Sequence, residues 1–324
     1  VKRDLRLVAD VGGTHARFGL VDRSGAVAGS VELPSADYRD LGSAAVEAVE
    51  RLLRAGGGSA APREAALAVA GPVTGDRVEL TNVDWSFSIA QTRERLGLER
   101  LEVLNDVAAV AWSLPVLPRD GWTGLDEGEE QPGEPCAVVS VGTGLGVSAA
   151  LRAGREAPVV LASEGGHRDL AATTEREWRV HERLSVLFGG HVSAERAVSG
   201  TGLATLHAVL AELDGERPEA IEGAEVARRA RDGEVRALEA LSLFAGWLGA
   251  FAGDLALTVG ARGGVYLSGG VLPALGAGFD RKAFRDRFLA KGRFRTWLER
   301  VPRRLITDDL AAFRGLARRL DFPS

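Results

Sequence analysis

The chain carries the same local design twice: a short apolar strand, a turn of glycine and threonine, and a second strand that returns. The two copies are DVGGTHARFGLVD at residues 10–22 and SVGTGLGVSAALR at residues 140–152. Each leading apolar run is too short for a helix and ends in glycines, the pattern of a buried strand entering a tight turn. Such a turn presents backbone N–H groups with no Cβ in the way, which is what an anionic phosphate requires. In the first copy Asp10 ends the strand, a hard oxygen donor able to hold a Mg²⁺-bound water. Taken singly, either turn is equally an ordinary glycine-bearing hairpin. Two of them, one with a carboxylate and one with a threonine, point towards phosphate.

At 324 residues the chain exceeds what one hydrophobic core usually fills, so two domains are expected. Apolar residues make up 45% and charged residues 26%, the balance of a soluble globular enzyme. The formal net charge is -5 and the basic residues are scattered, which leaves no nucleic-acid footprint. Cys136 is the single cysteine, so an intramolecular disulfide or a multi-cysteine metal site is excluded; opening the run CAVVSV, it reads as a small buried hydrophobe. The start, VKRDLRLVAD, is interrupted by Arg6 and ended by Asp10, unlike a signal-peptide core. The most apolar stretch, residues 241–261, is cut by Asp254 and reads as a buried helix rather than a membrane span. The expectation is a cytoplasmic protein with no membrane or nucleic-acid partner.

The elements alternate between strand and helix. Strands are expected at residues 5–11, 18–22, 65–70, 101–104, 265–271 and 304–309, besides the pair around Gly142-Thr143-Gly144. Helices are expected at 40–55, stopped by Gly56-Gly57-Gly58, and in VAAVAWSL, stopped at Pro115. Further helices follow at 174–188, 202–213 and in one long stretch, 224–259, with a last one closing the chain. Residues 118–135, rich in Gly, Pro and acids, read as a loop near a domain junction. The glycines at 142, 144 and 146 do not have the G-x-G-x-x-G spacing and no G-x-x-x-x-G-K-[ST] is present, which disfavours dinucleotide-binding and Walker-type sites.

A second set of residues is polar in apolar settings. Asn105-Asp106 follows a strand at its carboxyl end, where α/β sheets place ligands. Helix capping is the stronger reading of the pair taken alone. Glu164-Gly165-Gly166-His167 sets a carboxylate and an imidazole around a flexible turn, and with no Cys or His nearby a metal is disfavoured. Glu195, in HVSAERAVSG, also suits the first turn of a helix. Each residue alone is weak. Together they supply the donors and acceptors that a ring of hydroxyls needs.

In VADVGGTHAR, VAGPVTGDRVELTNVDWSFS, LNDVAAVAWSLP, VGTGLGVS, SEGGHRDLAA, HVSAERAVSGTGL and YLSGGVLP the chain resembles the zinc-free bacterial glucokinases of the sugar kinase/Hsp70/actin superfamily. The motifs occur in that family's order over residues 7–273. LSGG is superfamily-wide, whereas SEGGHRDLAA followed by HVSAERAVSG is far more specific. The resemblance implies an α/β, two-domain actin-like ATPase (ribonuclease H-like) fold with a cleft between the domains. We expect a small domain at residues 1–112 plus 303–324 and a large one at 113–302.

It further implies transfer of the γ-phosphoryl group of Mg-ATP to the 6-hydroxyl of glucose, by a homodimer. Asp106 is then the general base and Asn105 holds neighbouring hydroxyls. Glu164, His167 and Glu195 match the sugar positions. Asp10 with Gly12, Gly13 and Thr14 matches the first phosphate loop and its Mg²⁺ water. Gly142, Thr143 and Gly144 match the second loop, and Gly269 and Gly270 the loop beside the adenosine. Two departures stand out: His15 replaces the Asn common after the first-loop Thr, and residues beyond 304 resemble the family less. The cysteine-rich zinc motif of the related repressor/kinase family is absent, and so is an N-terminal helix-turn-helix. The competing readings are an actin- or Hsp70-like ATPase switch, a sugar-sensing regulator, and a kinase that uses another hexose or polyphosphate.

Overall fold

The computed structural model describes residues 4–56, 60–80, 84–129, 131–151 and 158–323. The chain divides into two compact units, Val1–Gly121 with Asp308–Ser324 and Trp122–Thr307. The first contains β1 (Arg6–Val11), β2 (His15–Val21), β3 (Val27–Pro34), α1 (Leu41–Ala55), β4 (Glu64–Val69), β5 (Arg77–Glu79), β6 (Ser86–Ser88), α2 (Ile89–Arg95), β7 (Arg100–Asn105) and α3 (Asp106–Ser113), together with the closing helix Ala311–Arg319. Its main sheet runs β3-β2-β1-β4-β7, with β1, β4 and β7 parallel and β1, β2 and β3 antiparallel.

The apolar run Leu7-Val8-Ala9 of β1 follows from burial on both faces. Leu7, Ala9 and Val11 face Phe18, Leu67 and the α1 residues Leu41, Ala44, Ala45 and Ala48. Val8 faces the other way, towards Ala109, Phe313, Leu316 and Leu320. Helix α1 begins as its sequence predicts: Asp40 caps it by accepting from the Ser43 N–H, and the Ser43 hydroxyl is reciprocally placed. Of the glycines expected to stop it, Gly56 is its C-cap, and Gly57 and Gly58 lie outside the described residues.

The second unit contains β8 (Trp122–Gly124), β9 (Cys136–Val141), β10 (Leu145–Leu151), β11 (Val159–Ser163), α4 (Glu175–Leu187), α5 (Gly200–Leu213), α6 (Gly223–Arg231), α7 (Val235–Val259), β12 (Gly264–Ser268), α8 (Val271–Leu275), α9 (Arg281–Leu289), α10 (Arg295–Glu299) and β13 (Arg303–Ile306). Its sheet runs β11-β10-β9-β12-β13-β8. Five of these strands repeat the order of the first unit's sheet, an antiparallel meander followed by parallel strands, so the duplication seen around the glycine turns extends to the whole sheet.

Two expectations need correction. The stretch 224–259 is two helices, because Gly233 takes a left-handed φ of 87° that a helix interior cannot accept. The presumed loop 118–135 contributes β8, which pairs with β13; three residues show too little alternation to announce a strand. Helix α7 is long and apolar enough to cross a membrane, yet 72% of its most apolar stretch is buried in the unit. Its glycines allow close packing. A Cβ on Gly249 would stand 2.0 Å from the Phe284 carbonyl oxygen of α9.

Replacing Gly249 with Ala should therefore separate α7 from α9. We expect a loss of about 1–3 kcal/mol, the usual range for overpacking a filled core. Urea unfolding measures it, and an unchanged midpoint would mean that the two helices part without cost.

Candidate active site

In the first unit β1 ends in the Gly12-Gly13-Thr14 turn. The Gly12 N–H donates to the His15 carbonyl, 3.0 Å away, and Gly12 and Gly13 are half-buried while Thr14 is exposed. Asp10, one residue inside the strand end, is paired across β2 with Arg17 and across β4 with Ala68. Burial raises its pKa from the ordinary 3.8, and Arg17 opposes that rise. No group of three or more His, Cys, Asp or Glu side chains able to hold a metal occurs among the described residues. Asp10 nevertheless suits Mg²⁺. It is a desolvated hard oxygen donor that gains from a nearby cation, and Mg²⁺ keeps most of its waters and needs few protein ligands.

Asn105 ends β7 opposite Val69, which in turn marks the end of β4 beside Val11. The first turn and the Asn105-Asp106 pair thus leave the sheet at the same end. Asn105 does cap α3: its Oδ1 accepts from the N–H groups of Val107, at 3.0 Å, and Ala108, at 3.1 Å, and its amide donates to the Gly71 carbonyl. Asp106 is the first residue of the helix and accepts from the Val107 N–H at 2.9 Å.

In the second unit the convergence is tighter. The Gly142 N–H closes the second turn on the Gly144 carbonyl at 2.9 Å. Directly after it, the Leu145 N–H donates to Glu195 Oε2 at 2.9 Å. Glu164 precedes and His167 ends a single turn of 3-10 helix, their side chains 4.0 Å apart and more than half exposed. That turn is pressed onto the same residue from the other side, for a Cβ on Gly166 would stand 1.9 Å from the Leu145 carbonyl oxygen. Gly166 is required for close approach, not for flexibility. Glu164, His167 and Glu195 are thereby gathered around Leu145, beside the glycine turn.

Gly269 completes this end. Its φ is 89° and a Cβ would stand 2.4 Å from the Val141 carbonyl oxygen, so the loop carrying Gly269 and Gly270 lies against the strand that leads into Gly142. The Gly200 N–H donates to the Gly142 carbonyl at 2.8 Å, and Thr201 Oγ1 donates to the Thr143 carbonyl at 3.3 Å. Beside these groups opens a largely apolar cavity of about 660 Å³, walled by α5, α6 and α8. Sequence reasoning missed its α6 wall, because GAEVARRAR reads as a solvated charged helix; only its position beside a glycine turn marks it.

Two glycine turns on duplicated sheets, one with a strand-end carboxylate, define an ATPase-type fold. It is the two-domain actin-like ATPase fold of the sugar kinases, and comparison with known proteins narrows the class. A sequence profile for the glucokinase family matches residues 7–321. A glucokinase from Aromatoleum aromaticum is 47% identical over 98% of this chain and 94% of its own. The crystal structure of a glucokinase from an Antarctic psychrotroph superposes with a TM-score of 0.86 at 34% identity, over 98% of this chain and 99% of that one. A ROK-family glucokinase from Streptomyces griseus, in complex with glucose and AMPPNP, shares the fold at a TM-score of 0.65 and 23% identity over 98% of each chain. The chain belongs to the glucokinase family.

Burial of Asp10 has a measurable consequence. Its folded pKa lies above 3.8, so the folded state binds this proton more tightly than the unfolded state does. The associated stability is present below 3.8 and is lost as pH rises through the folded value. In EDTA, Asp10→Asn should therefore be more stable than the wild type at neutral pH, and the difference should vanish as pH falls towards 3.8. Urea midpoints across that range test it; equal midpoints at neutral pH would contradict the raised pKa.

Proposed function

We propose that the chain is an ATP-dependent glucokinase, a phosphotransferase with an alcohol acceptor, converting glucose and ATP to glucose 6-phosphate and ADP. The observation that best supports this reading is the gathering of Glu164, His167 and Glu195 around Leu145 beside the second glycine turn. A nucleotide switch of the same fold has no use for those three side chains. Their acceptors and donors suit ring hydroxyls. An epimer would leave one of them unpaired, at about 1–3 kcal/mol.

Asp106 acts as the general base. The proton of the 6-hydroxyl moves to its carboxylate, the freed oxygen attacks the γ-phosphorus, and the bridging oxygen leaves with ADP. Asn105, besides capping α3, holds neighbouring hydroxyls. The backbone N–H groups of Gly12, Gly13 and Thr14 and of Gly142, Thr143 and Gly144 receive the phosphates, and Gly269 and Gly270 border the adenosine. Mg²⁺, held by Asp10 through water, would supply neutralising charge to the phosphate oxygens. Phosphoryl transfer asks a protein chiefly for such positioning and charge stabilisation. We place the enzyme in the cytoplasm as a homodimer; the single, buried Cys136 suits a reducing compartment.

A coupled assay with ATP across glucose, mannose, fructose and N-acetylglucosamine tests the reading, with glucose expected to be preferred. Asp106→Ala should lower kcat by roughly 10²–10⁴-fold, the usual worth of a positioned general base, with a far smaller effect on glucose affinity. Near-wild-type kcat would return Asp106 to a purely structural role. Glu195→Gln should weaken glucose binding by about 1.5–3 kcal/mol, the worth of a charge-assisted hydrogen bond, as read by titration calorimetry. EDTA should abolish turnover and Mg²⁺ alone should restore it. Tightly bound stoichiometric zinc in the purified protein would be at odds with this assignment.

A further inference from the structure

We propose that Thr201 is a positioning residue for the phosphoryl donor: its hydroxyl holds the tip of the second glycine turn in the orientation that aims the Gly144 N–H at the phosphates. The inference rests on the reading of that turn as one that takes the phosphates.

The turn is tethered at both feet. At the first, the Gly200 N–H donates to the Gly142 carbonyl at 2.8 Å, and the Gly142 N–H is bonded to the Gly144 carbonyl. At the second, the Leu145 N–H donates to Glu195, and a Cβ on Gly144 would stand 2.5 Å from Glu195 Oε2. Between the feet lies the peptide that joins Thr143 to Gly144. Its carbonyl has one hydrogen-bond partner among the described residues, the Thr201 hydroxyl at 3.3 Å. The N–H groups of Thr143 and Gly144 have none among those residues.

A trans peptide is planar, with its carbonyl and its N–H on opposite sides. Drawing the Thr143 carbonyl towards the start of α5 therefore points the Gly144 N–H away from it. The bond from Gly200 to the Gly142 carbonyl does the same for the Thr143 N–H. The two tethers differ in kind, for the Gly142 carbonyl is held by backbone and the Thr143 carbonyl by one hydroxyl. Without that hydroxyl the tip peptide can flip, the change that separates a type I turn from a type II turn. A flipped peptide would offer an anionic phosphate its carbonyl oxygen in place of a donor.

Thr201 is itself fixed. It lies in the first turn of α5, which Ser199 caps by accepting from the Gly202 N–H at 2.9 Å. Ser199 is fully buried and donates to the Glu195 carbonyl at 2.8 Å. Its Oγ also lies 3.1 Å from Thr201 Oγ1, so the Thr201 proton has two acceptors within reach, Ser199 and the Thr143 carbonyl. A phosphate bonded to the Gly144 N–H polarises the tip peptide and makes its carbonyl the stronger acceptor. The donor and the Thr201 hydroxyl thus reinforce each other through a single peptide.

Thr201→Val in the full chain, which removes the hydroxyl at nearly constant shape, tests this. The KM for ATP should rise about tenfold, the worth of one hydrogen bond to a charged group, with kcat changed far less. Glucose affinity without nucleotide, read by titration calorimetry, should stay that of the wild type. Thr201→Ser should recover most of the loss, and Thr201→Ala should behave as the valine variant does. The orientation of the peptide is read from the Gly144 amide resonance before nucleotide is added, which should move in Thr201→Val and return in Thr201→Ser. Thr201 is exposed, so the variants should fold, and urea midpoints check it. An unchanged KM for ATP in Thr201→Val, or a loss that Thr201→Ser does not recover, would overturn the inference. So would a raised KM with an unmoved Gly144 resonance, since Thr201 would then act on the phosphate directly. A wild type that does not phosphorylate glucose from ATP at all would instead overturn the proposed function, and the inference with it.

Discussion

At Gly166 a β-carbon would stand 1.9 Å from the carbonyl oxygen of Leu145, and most of the second unit's site depends on that contact. Because backbone meets backbone there, the turn carrying Glu164 and His167 is fixed to β10 without an intervening side chain. The N–H of the same Leu145 is held by Glu195. One strand residue therefore sets the positions of three side chains from two distant stretches of chain. Gly269 against Val141 and Gly223 against Gly200 extend the same device around the cavity. Interiors are close-packed and transmit strain, so an added methyl at any of these points would displace a wall.

The first unit uses a different constraint. Asp10 is a carboxylate withdrawn from water beside Arg17, an arrangement that costs stability whenever the group is ionised. A fold selected for stability alone would place an amide or an apolar residue there. The cost becomes intelligible if a cation or its water is the intended partner. Asn105 shows the reverse economy. Its side chain already satisfies two N–H groups at the start of α3, so it serves the fold whether or not a sugar is present.

Much of this was legible in the sequence, for reasons of short range. A strand buried on both faces needs a continuous apolar run, which β1 and β9 display. A helix start needs a cap, which Asp40 and Thr174 supply, each in a capping box. A tight turn between two strands is favoured by glycine, and both copies have glycines there. What escaped was equally physical. β8, with only three residues, is held by its pairing to β13 and not by its own pattern. The break between α6 and α7 rests on one glycine within a stretch otherwise helical in pattern.

The sequence by itself determined the two hairpins, the carboxylate at the end of the first, and the residues from which a sugar site could be built, because these are properties of a few neighbouring positions. It did not determine that the turn carrying Glu164 and His167 and the side chain of Glu195 both pack on Leu145. It gave no sign that a charged helix lines a cavity through Glu222 and Arg231. Those facts were decided by the tertiary structure. They depend on strand register and on backbone contacts between segments far apart in the chain, where a clash of a single methyl group, not any local preference, selects the arrangement.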